Sequence, residues 1–318
     1  MNHPYANNKH HLYVLPQLNQ DTFSFSEGTS DELCLIIPIF TTYLGEHALI
    51  TVTKSACHAL RSWLHNSDIT DFSIPIYIYC DVSQEPIIKP ILDENGVPAE
   101  MIMSAEFEGQ QYTQFLSPLF DDRFQDFKNL LIVDVDLFAH RSLENEKHKF
   151  FSMLQENEGR DNTIGTRLFK ENKPIFEDRF LSFWWAYLCQ TSNPPDFNIP
   201  IKEQRSYWVK TVCELTDART ARQFILSKPI SYVQNPLLFV NQTHAIEKEW
   251  IKKAMSVLGE SESILTIYSI FFKEEFWNME NQFSDVLYST LNTHESGLAH
   301  WGKSVDHVIY DRIFKETP

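Results

Sequence analysis

Apolar positions along this chain recur in two periods, and the change from one to the other marks out its elements. Leu33 to Phe40 is an almost unbroken apolar run, closed by Thr41 and Thr42 and too short for a buried helix. It predicts a strand covered on both faces. Ala48, Leu49, Val52, Ala56, Ala59, Leu60, Trp63 and Leu64 then recur at three-to-four spacing and predict a helix with one apolar stripe. A second strand is expected over Ile74 to Tyr79, ending at Cys80-Asp81, and a short third one over Met101 to Met103, after the turn signal Asn95-Gly96. Tyr112 to Phe120 reads as helical, and Leu130 to Asp136 as a strong central strand. Strands separated by helical segments imply crossover connections and a largely parallel sheet, hence an α/β fold of the Rossmann-like, nucleotide-binding kind.

Beyond His140 the periodicity loosens. Trp184, Trp185 and Tyr187 form an aromatic segment broken by Asn193-Pro194-Pro195-Asp196, Ile230 to Val240 reads as extended, and Ile246, Trp250, Ile251, Ala254, Met255 and Leu258 predict an amphipathic helix. No internal repeat, low-complexity tract or long linker interrupts the chain. The expected organisation is therefore a polar amino-terminal arm over 1–30 and a single domain over 31–318, with a ligand-binding half at 31–140 and a less regular half at 141–318.

Composition narrows the function. An apolar content of 43% with 14% aromatics supports a substantial core and excludes general disorder. Lys+Arg 27 against Asp+Glu 43 leaves a net charge of −16, which disfavours a nonspecific grip on nucleic acid or on an anionic membrane. An anionic substrate would need a local cation. The five cysteines are widely spaced, without CxxC or zinc-like patterns, and read as reduced thiols; Cys34 and Cys80 lie inside apolar runs and are expected to be buried. The first residues lack the order of a signal peptide, and no apolar run reaches the roughly 18 residues that span a bilayer. The expectation is a soluble, cytoplasmic protein without a transmembrane segment.

The most informative residues are Asp134 and Asp136, at the end of the strongest apolar strand. Strand side chains alternate, so two positions two apart would face one way and meet a single cation at the carboxyl edge of a parallel sheet, the edge where open α/β sheets bind ligands. Two neighbouring carboxylates repel each other unless a cation or protons intervene. A magnesium-type ion takes one or two carboxylates and completes its shell with water and substrate phosphates. The alternative is a pair of surface aspartates that happen to follow a strand.

The segments Leu35-Ile36-Ile37-Pro38 with Thr41-Thr42-Tyr43, then Tyr77-Ile78-Tyr79-Cys80-Asp81, then Leu131-Ile132-Val133-Asp134-Val135-Asp136-Leu137-Phe138 resemble, in this order, the GT-A glycosyltransferases. The resemblance spans about residues 33–140, and only the aspartate pair is a sharp motif. It implies a nucleoside-diphosphate sugar as donor, held through Mn2+ or Mg2+ by Asp134 and Asp136, and a glycan or other hydroxyl acceptor. Tyr43 would stack on the base, Thr41 or Thr42 would reach its polar edges or the ribose, and Asp81 would contact base or ribose. The alternatives are a helix-entry aromatic for Tyr43 and a turn cap for Asp81. Near the carboxyl end, His300-Trp301-Gly302-Lys303 looks like a partial version of a family segment that adds a metal-binding histidine, His300, and a lysine for the diphosphate, Lys303. Ser304-Val305 replaces the proline and tryptophan that follow in one such family, and His294 and His307 are rivals for the ligand role. Trp184, Trp185, Gln234 and Asn235 are acceptor-side candidates, the alternatives being core packing for the tryptophans and a turn before Pro236 for Asn235, and Glu177, Asp178, Asp196 and Asp306 are candidate bases or acceptor contacts among which spacing does not choose.

Two rival readings share the aspartate motif. A haloacid-dehalogenase-type phosphatase would use Asp134 as nucleophile, but Phe138 stands where that family usually has threonine or valine, and its nucleophile strand usually lies nearer the start of the core. The other rival is a GT-A-like protein that binds without catalysis. A nucleotidyltransferase fits less well, because no glycine-rich phosphate loop follows the first strand.

Overall fold

The computed structural model describes residues 31–39, 45–107, 114–135, 137–139, 164–169, 232–243, 247–258, 261–279, 287–288 and 298–300, with short pieces between 151 and 221. These fall into two compact units. The first draws on Met1–Glu106, Leu131–Arg160 and Asn281–Pro318, the second on Phe107–Leu130 and Asp161–Glu280.

The first unit has the expected α/β character. Strand β1 (Leu33–Ile39) is buried along its whole length, as a strand covered on both faces must be. It pairs in parallel with β2 (Ile76–Asp81), which pairs in parallel with β3 (Ile102–Ala105). With β4 (Asn129–Val133), the order is β3-β2-β1-β4. The predicted helix is α1 (Gly45–Asn66), which follows β1 and buries Leu49, Ala56, Ala59, Leu60 and Trp63, as its apolar stripe requires.

Helix α2 (Glu85–Glu94) between β2 and β3 was hidden from periodicity by its two prolines. Pro86 sits in the first turn, where a missing N–H costs nothing, but Pro90 lies inside the helix and forfeits a bond. Burial of Ile88 and Leu92, one turn apart, offsets that loss. Asn95-Gly96 closes the helix rather than forming a free-standing turn: Gly96 takes φ +73°, and the Asn95 side chain donates to the Ile91 carbonyl at 2.8 Å.

Two expected boundaries are corrected. The helix expected up to Phe120 is, over Gln114–Phe120, a 3-10 helix containing Pro118, whose ring removes a donor. The central strand stops at Val133, not at Asp136; Asp134 belongs to no regular element, and Val135 lies in a turn.

In the second unit, β6 (Ile164–Phe169) pairs antiparallel with β7 (Tyr232–Asn241) and parallel with β8 (Phe276–Asn278). The β6–β7 register shifts between Gly165 and Arg167, and the Thr166 hydroxyl donates to the Leu237 carbonyl at 2.8 Å within the irregularity. Helices α3 (Lys248–Leu258) and α4 (Ser261–Phe271) also belong to this unit. Trp250 packs edge-on against Tyr268, Phe271 and Phe272, and its indole N–H donates to the Leu215 carbonyl at 3.1 Å. The expected helix over Ile246 to Leu258 is thus present as α3; α4 carries no polar face regular enough to have been read as amphipathic, since Ile264 to Ser269 are all buried.

Candidate functional site

After β4 the chain makes a tight turn and enters the short strand β5 (Leu137–Ala139). Leu137 N–H donates to the Asp134 carbonyl at 3.0 Å, which closes the turn across Val135 and position 136. Half-buried Asp134 accepts the Val135 N–H on its own Oδ1 at 2.9 Å. That bond orients the carboxylate. A strand-alternation argument therefore does not apply to Asp134, which lies past the end of β4. Asp136 itself lies outside the described residues, as do Thr41, Thr42, Tyr43 and Lys303.

One face of α1 holds the turn and β5 in place. Ser55 Oγ donates to the Val135 carbonyl at 2.9 Å, Trp63 Nε1 to the Leu137 carbonyl at 3.1 Å, and Ser62 Oγ accepts the Ala139 N–H at 3.0 Å. Positions 55, 62 and 63 are seven and eight apart, two helical turns, so they share a face. All three side chains are buried. Sequence reasoning counted Trp63 only as core and passed over both serines, because a serine between apolar helix positions signals nothing until the carbonyl it meets is known.

The opposite edge of β5 pairs with β10 (Leu298–His300), antiparallel, in the register Leu298↔Ala139, Ala299↔Phe138 and His300↔Leu137. Strand β9 (Leu287–Tyr288) lies parallel on the far side of β10. Alternate residues of a strand turn their backbone groups to opposite edges. Leu137 and Ala139 are bonded to α1, which leaves Phe138 for the β10 edge. Position 300 is thus brought across from Leu137, the residue that directly follows the acidic turn, although 160-odd positions separate them in the chain.

Asp81 ends β2, and β1 separates β2 from β4. At about 4.8 Å per strand, the strands bearing the two acidic ends lie roughly 10 Å apart. Asp81 Oδ1 accepts the Ser83 N–H at 2.7 Å and the Ser83 hydroxyl, so the turn-capping role weighed for it is present. Ser104 Oγ, on β3, donates to Glu85 at the start of α2 at 2.9 Å, which ties down the same loop.

Burial sets the nearby ionisable groups. The Cys80 thiol, next to Asp81, is pushed up to about 12, first by burial and then by the Glu85 and Asp81 charges. His58, one turn beyond Ser55 on α1, is pushed down to about 4 by burial, with Arg61 and Lys54 adding to the effect. Both are uncharged at neutral pH. Cys34, Cys57 and Cys80 are free and buried and Cys213 free and exposed, as expected for reduced thiols; Cys189 lies outside the described residues.

Among the described residues no three His, Cys, Asp or Glu side chains cluster as a metal site. The donors the turn does offer suit a hard divalent cation: carboxylate oxygen in a half-exposed position, oriented by a backbone N–H. Of the acceptor-side candidates, Gln234 and Asn235 fall in β7, described by its backbone there. Trp184, Trp185, Glu177, Asp178, Asp196, His294, Asp306 and His307 lie outside the described residues, as does the arm over 1–30. No described helix is long and apolar enough to cross a membrane.

No family model matches the chain, and no curated protein matches it. Among solved structures it is similar to mouse xyloside xylosyltransferase 1 in its apo form, at 12% identity over 86% of this chain and 99% of that one, with a TM-score of 0.40. It is also similar to the galactosyltransferase LgtC in complex with donor and acceptor sugar analogues, at 10% identity over 86% and 87% of the two chains and a TM-score of 0.40. A third is the mannosyltransferase Ktr4p from S. cerevisiae, at 9% identity over 79% and 64% and a TM-score of 0.36. Likeness at this level assigns no residue, and the chemistry has to come from this chain's own geometry.

Proposed function

We propose that this chain is a metal-dependent glycosyltransferase that moves a sugar from a nucleoside diphosphate to a hydroxyl acceptor on a glycan or glycoconjugate. The observation that carries the reading is the β5–β10 register, which brings His300 opposite Leu137, beside the acidic turn that begins at Asp134. A carboxylate pair and an imidazole recruited from distant parts of one chain would make a mixed oxygen and nitrogen donor set of the kind manganese accepts. A phosphatase nucleophile loop has no use for that histidine strand.

In this reading Asp134, Asp136 and His300 would hold the cation. Bound there, Mn2+ or Mg2+ supplies charge neutralisation for the donor diphosphate and for its departure. Lys303, three residues beyond His300, would add a second positive charge to the diphosphate. Asp81 would reach base or ribose, and Thr41, Thr42 and Tyr43, after β1, would frame the nucleoside. The protein carries −16 overall, so a dianionic donor docks only where such local cations outweigh the general field. The reduced cysteines fit a cytoplasmic enzyme. Residues 31–318 would act as one catalytic domain whose later half receives the acceptor.

The test is thermal denaturation with UDP, GDP or inorganic phosphate, with and without Mn2+, followed by hydrolysis of a panel of nucleotide sugars. A ligand at 100 times its dissociation constant stabilises by about 2.7 kcal/mol. UDP or GDP should raise the transition only with the metal, and Asp134→Asn and Asp136→Ala should each abolish the rise. A covalent phosphate on Asp134, with no nucleotide-dependent shift, would replace this reading with the phosphatase one. Nucleotide binding without hydrolysis or transfer would identify a silent binding protein.

A further inference from the structure

We infer that Ser55 is a positioning residue for the acidic turn, supported by Ser62 and Trp63, and that α1 sets the geometry of Asp134 and its neighbours before any ion arrives. The inference rests on the functional reading above for the identity of the ion and on the hydrogen bonds themselves for the positioning.

Between β4 and β5 the chain has to leave a buried strand, turn and enter another strand. Its backbone groups cannot all find ladder partners, and buried ones must find others. Accounting for them shows where they go. The Asp134 carbonyl takes Leu137 N–H, the Val135 N–H goes to Asp134 Oδ1, and the carbonyls of Val135 and Leu137 take Ser55 and Trp63 of α1. Ser62 is fully used as well, accepting from Ala139 N–H and donating to the Ala59 carbonyl at 2.7 Å. The Trp63 ring is held in turn by an edge contact with Phe151, centroids 6.0 Å apart.

Among these bonds Ser55 has a particular place. Fixing the Val135 carbonyl restrains the residue whose own N–H holds the Asp134 carboxylate at 2.9 Å. The orientation of the Asp134 carboxylate is thereby tied to a hydroxyl on α1, 80 residues earlier in the chain than Val135. Pre-organisation of this kind lowers the ordering cost that ion binding would otherwise carry. Trp63 and Ser62 anchor the following strand, and through it the register that places position 300.

The experiment uses Ser55→Ala and Ser55→Thr in the full chain. Alanine is the better helix former, so α1 itself should not weaken; threonine keeps the hydroxyl. Amide exchange is measured for residues 135–139 without metal, and Mn2+ uptake is measured by electron paramagnetic resonance of the free ion, alone and with UDP or GDP. Ser55→Ala should speed exchange at Leu137 and weaken Mn2+ uptake, each by about tenfold, the ratio expected for one lost hydrogen bond. The thermal transition without metal should fall by only the few degrees that one lost hydrogen bond to a half-buried carbonyl costs, and Ser55→Thr should restore both readouts. Exchange at Leu137 unchanged in Ser55→Ala overturns the inference. So does faster exchange with an unaltered Mn2+ curve. Wild-type protein that takes up no Mn2+, alone or with nucleotide, overturns the functional reading and the ion-positioning role together, whereas wild-type uptake matched by Ser55→Ala overturns the positioning alone.

Discussion

Two threonines allow the cost of an orphaned carbonyl to be separated from the cost of losing a hydroxyl. Thr53 on α1 and Thr166 on β6 are both fully buried, and each donates to a backbone carbonyl, Leu49 at 2.7 Å and Leu237 at 2.8 Å. Valine replaces either with nearly the same shape. At position 53 the acceptor is the carbonyl four residues earlier, which in a helix already receives the N–H of residue 53. Thr53→Val therefore leaves nothing unsatisfied and exchanges a hydroxyl for a buried methyl, worth up to about 0.8 kcal/mol. Its effect should fall between roughly −0.5 and +0.5 kcal/mol. At position 166 the β6–β7 register shifts between Gly165 and Arg167, so the Thr166 hydroxyl stands in for the ladder bond that β6 fails to supply to Leu237. Leu237 is itself buried. Its carbonyl would lose that donor at a cost of about 1–3 kcal/mol, offset in part by the methyl gain, for a net loss of about 1–2 kcal/mol. Urea denaturation followed by tryptophan fluorescence reads both variants, with the change taken from the midpoint at constant slope. Equal effects for the two variants, within about 0.3 kcal/mol, would refute the argument that a hydroxyl completes the irregular pairing of β6.

Other expectations follow from burial and close contact. Gly165→Ala puts a Cβ 2.8 Å from Met279 Sδ and 2.9 Å from the Trp277 ring; the sulfur can yield but the buried indole cannot, so a loss of about 1–3 kcal/mol is expected in thermal denaturation. His58, pushed down to about 4, is neutral in the folded protein where the unfolded chain takes up a proton near pH 6.5. Stability from this group is thus present above about pH 6.5 and is lost as pH falls toward 4, with a slope of up to about 1.4 kcal/mol per pH unit that His58→Gln should remove. Of the four described cysteines, only exposed Cys213 should react with a thiol reagent at pH 8 in the native state; Cys57 and Cys80, pushed up to about 12 by burial, and Cys34, raised by the same cause, should react only on denaturation.

The parts of the fold legible from sequence are those in which one face or both faces are buried continuously. Leu33–Ile39 shows no alternation because it has no exposed face, and α1 shows its stripe because it has one. The less legible parts are those decided by neighbours. Helix α2 contains two prolines and exists because Ile88 and Leu92 find cover; β5 and β10 are three residues each, too short for any period to register. Asp134 was visible as chemistry but misplaced as structure, since the apolar run into it predicts a strand and says nothing about where the strand ends. The serines of α1 were invisible for a related reason. A hydroxyl on a helix face most often bonds its own backbone, as Ser62 does with Ala59 and Ser256 with Lys253, and nothing in the sequence separates that ordinary use from the additional bond Ser62 makes to Ala139.

The position of residue 300 illustrates how such unread contacts bear on function. Periodicity and spacing give a histidine 160-odd residues beyond an acidic motif no reason to be near it; only the family resemblance implied that it would be. Its approach depends on β5, a strand that could not persist by local propensity, because three residues bury too little and pair too weakly. The strand persists because its two edges are claimed from different sources: α1 takes the Leu137 carbonyl and the Ala139 N–H, and β10 takes the other edge at Phe138. If either claim were withdrawn, the other would be left to order the strand alone. Trp63→Phe, which keeps the buried ring but removes the donor to Leu137, should therefore loosen not only β5 but also residues 298–300, and amide exchange in β10 should quicken along with that in β5. Protection of β10 that survives while β5 loosens would show that position 300 is fixed by β9 and by chain beyond it, and that α1 has no hold on the histidine strand.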